Sequence, residues 1–352
     1  MDGLLPPVGG LICGFLAGFA AQYGRLCTVG AIEDAVVAGD LRRASAWAIA
    51  AAIAILMTQT LVLTGALDLS QTHYVRSRLD LVGLIVGGMM FGLGAALVGT
   101  CAFGLIVRLG TGDLRALICA MVLGLSAFAA TGGVLSPIRT GLTDLGAVDT
   151  SAFGGKTLTG IVNAQFGWTA SIVCVLLLAG ALLGSALTNQ RLYHKPRLIA
   201  ASCLMGCAIA FGWLATGVLA DPFAGQRPES LTFVAPLGRL ILQLVGEALT
   251  TTNFAVATLF GVGAGSFMVA IARGELRWEA FDDQREMRRH LLGAVLMGIG
   301  GVLARGCTIG QGLSGTSTLS IAAPIALLAM VMGARLGLAH LIEGRPLFTR
   351  WR

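Results

Sequence analysis

Three cysteines of this chain stand in surroundings that its other five do not share. The stretches GRLCTVG (residues 24–30), GTCAFG (99–104) and RGCTIG (305–310) put Cys27, Cys101 and Cys307 each between a glycine-rich apolar run and a short apolar piece. In two of them an arginine, Arg25 or Arg305, lies two places before the cysteine, and a threonine, Thr28 or Thr308, directly follows it. A thiol is a weak donor built on a soft sulfur. A short helix beginning at such a residue turns its unpaired N–H groups and the positive end of its dipole toward it, a setting that suits an anion. The remaining cysteines, Cys13, Cys119, Cys174, Cys203 and Cys207, lie within apolar runs and read as small buried hydrophobes.

The neighbouring polar residues carry two readings each. Arg25 and Arg305 either snorkel to an interface and neutralise a carbonyl end, or guide an anion electrostatically. Thr28, Thr308 and Gln311 (with Ser314, Thr316 and Ser317) either bond oxyanion oxygens or cap a short helix. Glu33 and Asp34 are expected to pair with a basic turn rather than carry a coupled proton. Glu247 is a buried or an interfacial carboxylate. The four histidines show no ligand spacing, so no metal site is expected, and no nucleotide-binding motif suggests a cofactor or an ATP-driven pump.

The elements that must position these groups are hydrophobic helices. Of 352 residues, 56% are hydrophobic and 12% charged, about half the charge of a soluble domain, and the mean hydropathy is +0.83. Glycine contributes 50 residues, about twice the usual share, which lets backbones approach and helices break where a cavity satisfies the freed groups. Spans of about 20 apolar residues fall near 4–23, 45–66, 81–99, 114–134, 167–188, 198–219, 253–272, 288–304 and 318–339. Residues 233–250 read as a partial or interfacial helix, and 28–38, 102–110 and 308–316 as half-helices too short to cross. The N-terminus lacks a signal-peptide pattern, so the first span is expected to be retained.

Basic residues sort by loop. Loops near 39–44, 108–115, 189–197, 273–289 and 341–352 hold fifteen Lys and Arg, against six in 67–80, 135–166 and 220–240. This asymmetry predicts a periplasmic N-terminus and a cytoplasmic C-terminus, and accounts for the net charge of +6 without nucleic acid as a partner. Membrane lipid is the expected surrounding.

The chain also repeats itself. GLGAALVGTC (92–101) and GIGGVLARGC (298–307) share glycine, glycine, leucine and cysteine without a gap, and GFAAQYGRLC (18–27) shares the first glycine and the cysteine. GDLR recurs at 39–42 and 112–115, with GELR at 274–277. The expected organisation is one transmembrane transport domain over 1–352. Its first repeat half is 1–134, its external connecting loop 135–166, and its second half 167–352, including a cysteine repeat at 288–340. The expected fold class is an all-α polytopic helical membrane protein with about nine transmembrane helices, re-entrant half-helices and an inverted internal repeat. Such repeats place transporter sites near the midplane.

GRLCTVGAIEDAVVAGDLR, GTCAFGLIVRLGTGDLRAL and RGCTIGQGLSGTSTLS resemble the YeeE/YedE sulfur-transport family, the last stretch most specifically. The resemblance implies inverted halves pinched in the middle, a bacterial inner-membrane location, and a route for thiosulfate lined by Cys27, Cys101 and Cys307. It also implies a small soluble sulfur-carrier partner of the TusA type on the cytoplasmic side, and no enzymatic activity. CAFG departs from the pattern by lacking small polar residues after its cysteine. Thiosulfate is a dianion with a soft terminal sulfur, so weak thiol donors at successive sites would pass it without covalent change. The competing readings are a carrier of another sulfur or selenium compound, a membrane-embedded sulfurtransferase relaying persulfide, and a water or ion channel.

Overall fold

The computed structural model describes residues 5–75, 78–149, 157–220, 227–246 and 253–343. Glu247 and the basic residues 76, 156, 345, 350 and 352 lie outside them. Nine helices of 18 residues or more occur among the described residues: α1 (Leu5–Gly24), α3 (Arg42–Leu63), α4 (Leu81–Val98), α6 (Leu114–Thr131), α9 (Trp168–Leu187), α11 (Pro196–Trp213), α13 (Phe254–Arg273), α14 (Gln284–Leu303) and α15 (Ala322–Glu343). Eight are apolar enough throughout to cross a membrane. The exception, α14, begins with the charged stretch QREMRR. Large apolar side chains such as Met121, Leu125, Leu177 and Leu328 face outward, as lipid contact requires. The chain is an all-α polytopic membrane protein.

Shorter elements sit at the breaks. α2 (Thr28–Val37) and α5 (Ala102–Gly110) are the first two expected half-helices, and α12 (Val234–Val245) is the expected partial helix. The third half-helix differs: after two helical residues it widens into a π-helical segment, Gly310–Gly315. GQGLSG holds three glycines and no β-branched residue, so its backbone is free to widen, and the Thr316 hydroxyl donates to the Gln311 carbonyl five residues back. A second π segment, Leu214–Val218, extends α11. The expected external connecting loop at 135–166 carries elements of its own. That stretch contains α7 (Ser136–Leu145), β2 (Ala147–Asp149) and α8 (Leu158–Phe166), while β1 (Arg78–Asp80) pairs antiparallel with β2. Pro137 in the first turn of α7 and the Thr157 side chain capping α8 give these pieces helical starts that a composition-based reading missed. One four-residue helix, α10 (Gln190–Tyr193), completes the set.

Contacts along the helices define their directions. Residues 10, 14 and 18 of α1 meet 254, 258 and 262 of α13, so these two run parallel. Residues 87 and 94 of α4 meet 300–304 and 293–297 of α14, so this pair is antiparallel. α4 also runs parallel to α15, with Gly88 against Ala326 and Gly92 against Met330, and with Met89 against Gly333 and Leu93 against Gly337. At Gly92 a methyl group would collide with the Met330 carbonyl, and only hydrogen there permits the approach. Each triplet therefore contains one glycine-rich helix flanked by a parallel and an antiparallel neighbour, because Gly9 and Gly24 of α1 meet Ala215 and Ala201 of the antiparallel α11 chain.

One face gathers four loops. The Arg277 N–H donates to the Thr111 carbonyl, and the Leu114 N–H to the Glu279 carbonyl. Asn189 reaches Ser45, and Arg25 reaches Glu275. These are the loops in which the basic residues concentrate, and we call this the basic-loop face. Arg305 and Asp80 meet at the other end of α4, whose 18 residues span about 27 Å.

Candidate transport site

α1 and α14 run in opposite directions, yet each ends in the same local device. Arg25 (φ 53°) and Arg305 (φ 57°) both adopt the left-handed conformation that side chains disfavour. Two residues on, Cys27 caps α2, its sulfur accepting the Gly30 N–H at 3.4 Å, and the Cys307 sulfur accepts the Gly310 N–H at 3.3 Å. A thiol in the N-cap role does what serine does, and leaves its own hydrogen available to a guest. Cys101 caps α5 without a side-chain bond, its backbone extended.

These three capped starts converge. The hydroxyls of Thr28 and Thr308 lie 3.2 Å apart, joining the first turns behind Cys27 and Cys307 across 280 positions of sequence. Cys101 lies within electrostatic range of both Cys27 and Cys307. Cys307 (0% exposed) and Cys101 (2%) are sealed, while Cys27 is half-buried. Where the other two cysteines are followed by threonine, Cys101 is followed by Ala102, and its hydroxyl neighbour is the buried Thr100 directly before it.

A cavity opens on each side of this constriction. On the basic-loop face about 790 Å³ is lined by Cys27 and by Arg25, Arg43, Arg108, Arg273 and Arg277, with Glu33 and Glu275 the carboxylates. On the opposite face about 540 Å³ is lined by Arg78, Arg139, Arg227, Arg239 and Arg305, with Asp80, Asp144 and Glu229. Five arginines against two carboxylates, and five against three, give both vestibules a positive potential that concentrates anions.

The other residues singled out from sequence distribute as follows. Arg25 and Arg305 stand in separate vestibules, Arg25 in the one that Cys27 also lines. Arg305 meets the buried Asp80 carboxylate at 2.6 Å, and Arg25 meets Glu275 at 3.0 Å. The Arg25 guanidinium, by hydrogen bonding, holds the Glu275 carboxyl below the usual range. Gln311 donates its amide N–H to the Ala304 carbonyl at 2.8 Å, tying down the end of α14, while its buried Oε1 makes no hydrogen bond among the described residues. Asp34 pairs with Arg43 at 3.4 Å, at the basic turn, and Glu33 faces the vestibule. Asp80 and Glu275 were missed. For Glu275 a signal existed, since GELR repeats the GDLR turns; for Asp80 none did, because its partner lies 225 positions away.

Broken helices, two positive vestibules and a thiol-lined constriction between them define a membrane transport protein for anions. A family model described as sulphur transport matches residues 23–336, and the chain belongs to that family. It is 29% identical over 336 residues to the thiosulfate transporter TsuA of Escherichia coli K12, covering 92% of this chain and 91% of the relative. It is 26% identical over 337 residues to the thiosulfate transporter TsuA of Spirochaeta thermophila, covering 92% and 96%.

Proposed function

We propose that this protein takes up thiosulfate across a bacterial inner membrane, handing the ion from Cys307 to Cys101 to Cys27 by S–H···S hydrogen bonds without covalent change. The observation that carries the reading is the thiol cap: Cys27 and Cys307 each accept a backbone N–H while keeping a hydrogen to donate, Cys27 lining one arginine-rich vestibule and Cys307 buried directly after Gly306, which lines the other. The near full-length similarity to two thiosulfate transporters supports the substrate. A dianion in a hydrocarbon core is opposed by many kcal/mol, so the path must supply donors throughout. Helix N-termini and weak thiols do so without a full counter-charge that would trap the ion.

The basic-loop face is the cytoplasmic one in this reading, with the N-terminus periplasmic and the C-terminus cytoplasmic. Cys27 then opens toward the cytoplasm, where a TusA-like sulfur carrier would receive the ion. Cys307 and Cys101 are sealed, so passage requires a local opening beneath the outer vestibule. The protein acts as a transporter and not as an enzyme.

Counterflow of labelled thiosulfate in proteoliposomes, with Cys→Ala variants at 27, 101 and 307, tests the mechanism. Loss of flux at each site is expected, with no persulfide on any cysteine by mass spectrometry. Full flux in all three variants, or persulfide formed during transport, refutes the non-covalent relay.

A further inference from the structure

Beneath the outer vestibule lies a buried hydroxyl with no task in the fold. Tyr74, in the connection between α3 and β1, is 4% exposed, and its Oη makes no well-formed hydrogen bond, the Thr232 hydroxyl being its polar neighbour. Its surroundings hold it firmly. The Ser320 hydroxyl donates to the Tyr74 carbonyl at 2.7 Å, and the Trp213 ring packs edge-on against the tyrosine at 6.2 Å. Trp213 is itself anchored by its Nε1–H to the Ser317 Oγ at 3.0 Å. A buried polar group left unpaired costs stability that a phenylalanine would avoid, so the hydroxyl calls for an explanation.

Its position supplies one. A methyl group built on Gly310 would lie 3.1 Å from the Tyr74 Oη and 2.8 Å from the Thr232 Oγ1. Two hydroxyls, from segments remote in sequence, therefore close over Gly310, whose N–H also reaches the Cys307 sulfur. Only glycine permits so close an approach of both oxygens, since a methyl group would press on the Thr232 hydroxyl. Thr232 lines the outer vestibule together with Gly306 and Arg305. Ser314 fixes its segment by donating to the Leu231 carbonyl at 2.7 Å. Glu229, the nearby carboxylate, lies 3.8 Å from Arg239, which offsets its charge.

Thiosulfate has two chemically different ends. A thiol suits the soft terminal sulfur, and hard hydroxyl donors suit the sulfonate oxygens. We propose that Tyr74 and Thr232 form an oxyanion subsite over Gly310, holding the sulfonate oxygens while the terminal sulfur faces Cys307. This rests on the thiosulfate reading and assigns the other end of the ion. The two hydroxyls set orientation, so the sulfur leads toward Cys101.

Tyr74→Phe and Thr232→Val preserve shape and remove one donor each, with Thr232→Ser as the conservative control. Binding of thiosulfate and of sulfate to the purified full chain is measured by calorimetry, and counterflow gives KM and maximal rate. Removing one donor should weaken both anions in parallel by roughly ten- to a hundredfold, the range for one hydrogen bond to a charged group. KM should rise while Thr232→Ser stays near wild type. Cys307→Ser should weaken thiosulfate selectively and leave sulfate unchanged. Unchanged affinity in both Tyr74→Phe and Thr232→Val overturns the subsite, as does a wild-type chain that binds neither anion. A wild type that binds both, loses both in the variants, yet carries no thiosulfate would sustain the subsite and refute the transport reading instead.

Discussion

Replacing each left-handed arginine by glycine should have unequal consequences for stability at the two related positions. Arginine in the left-handed region costs about 1–2 kcal/mol, which glycine relieves, less about 0.4–1 kcal/mol for the added freedom of the unfolded chain. At Arg25 the pair with Glu275 is open to solvent, with the arginine side chain 72% exposed, so it contributes only about 0.2–1 kcal/mol. Arg25→Gly should therefore leave stability within about 1 kcal/mol of the parent. At Arg305 the side chain is 24% exposed and Asp80 only 3%, and removing one partner of such a pair costs about 3–5 kcal/mol. Arg305→Gly should be destabilised by about 2–4 kcal/mol after the backbone relief. Melting temperatures of the detergent-purified variants read this difference directly, and uptake should fall in both because each vestibule loses a cation. Equal loss of stability at the two positions would show that solvent exposure does not set the worth of these pairs. Full uptake in both variants would show that the arginines serve the fold alone.

Two further outcomes follow from other parts of the molecule. Burial pushes the Glu229 carboxyl up, against the pull of Arg239. The folded state thus binds its proton more readily than the unfolded chain, and stability falls as pH rises between the ordinary carboxylate range and the raised value. Neutralising Glu229 in acid also removes a negative charge from the vestibule opposite the basic-loop face. A unit charge about 8 Å from a dianion in water contributes about 1 kcal/mol, so uptake should rise about two- to fivefold on mild acidification. Glu229→Gln should be high and flat with pH, and a wild type without pH response would refute this. In the helix core, Gly92→Ala should abolish folded protein in a size-exclusion profile, because the methyl group meets the Met330 carbonyl, whereas Gly180→Ala in α9, with no neighbour near, should be neutral or stabilising by up to about 1 kcal/mol. Equal profiles for the two variants would mean that the α4–α15 contact is not required.

Much of the fold was legible in the chain itself. Apolar length marked all nine long helices, since a span has to satisfy its own backbone and fill the bilayer with nonpolar atoms. Chemical oddity marked the thiols: cysteine at repeated places beside Arg25 and Arg305 stood out against five cysteines in unbroken apolar runs. The residues between 135 and 166 were less legible. Their helices and the β2 strand are short, and Ala147–Asp149 becomes a strand only because Arg78–Asp80 is there to accept its pairing.

Sequence by itself determined the membrane class, the broken helices and the three cysteines at their starts, because each is a local matter of side-chain type and run length. Only the tertiary structure decided which groups meet. Antiparallel α1 and α14 carry Thr28 and Thr308 to within 3.2 Å, and send Arg25 and Arg305 to opposite vestibules. It paired those arginines with Glu275 and Asp80, and it set Tyr74 and Thr232 over Gly310. Such meetings depend on helix direction and close packing, which no single stretch of sequence encodes.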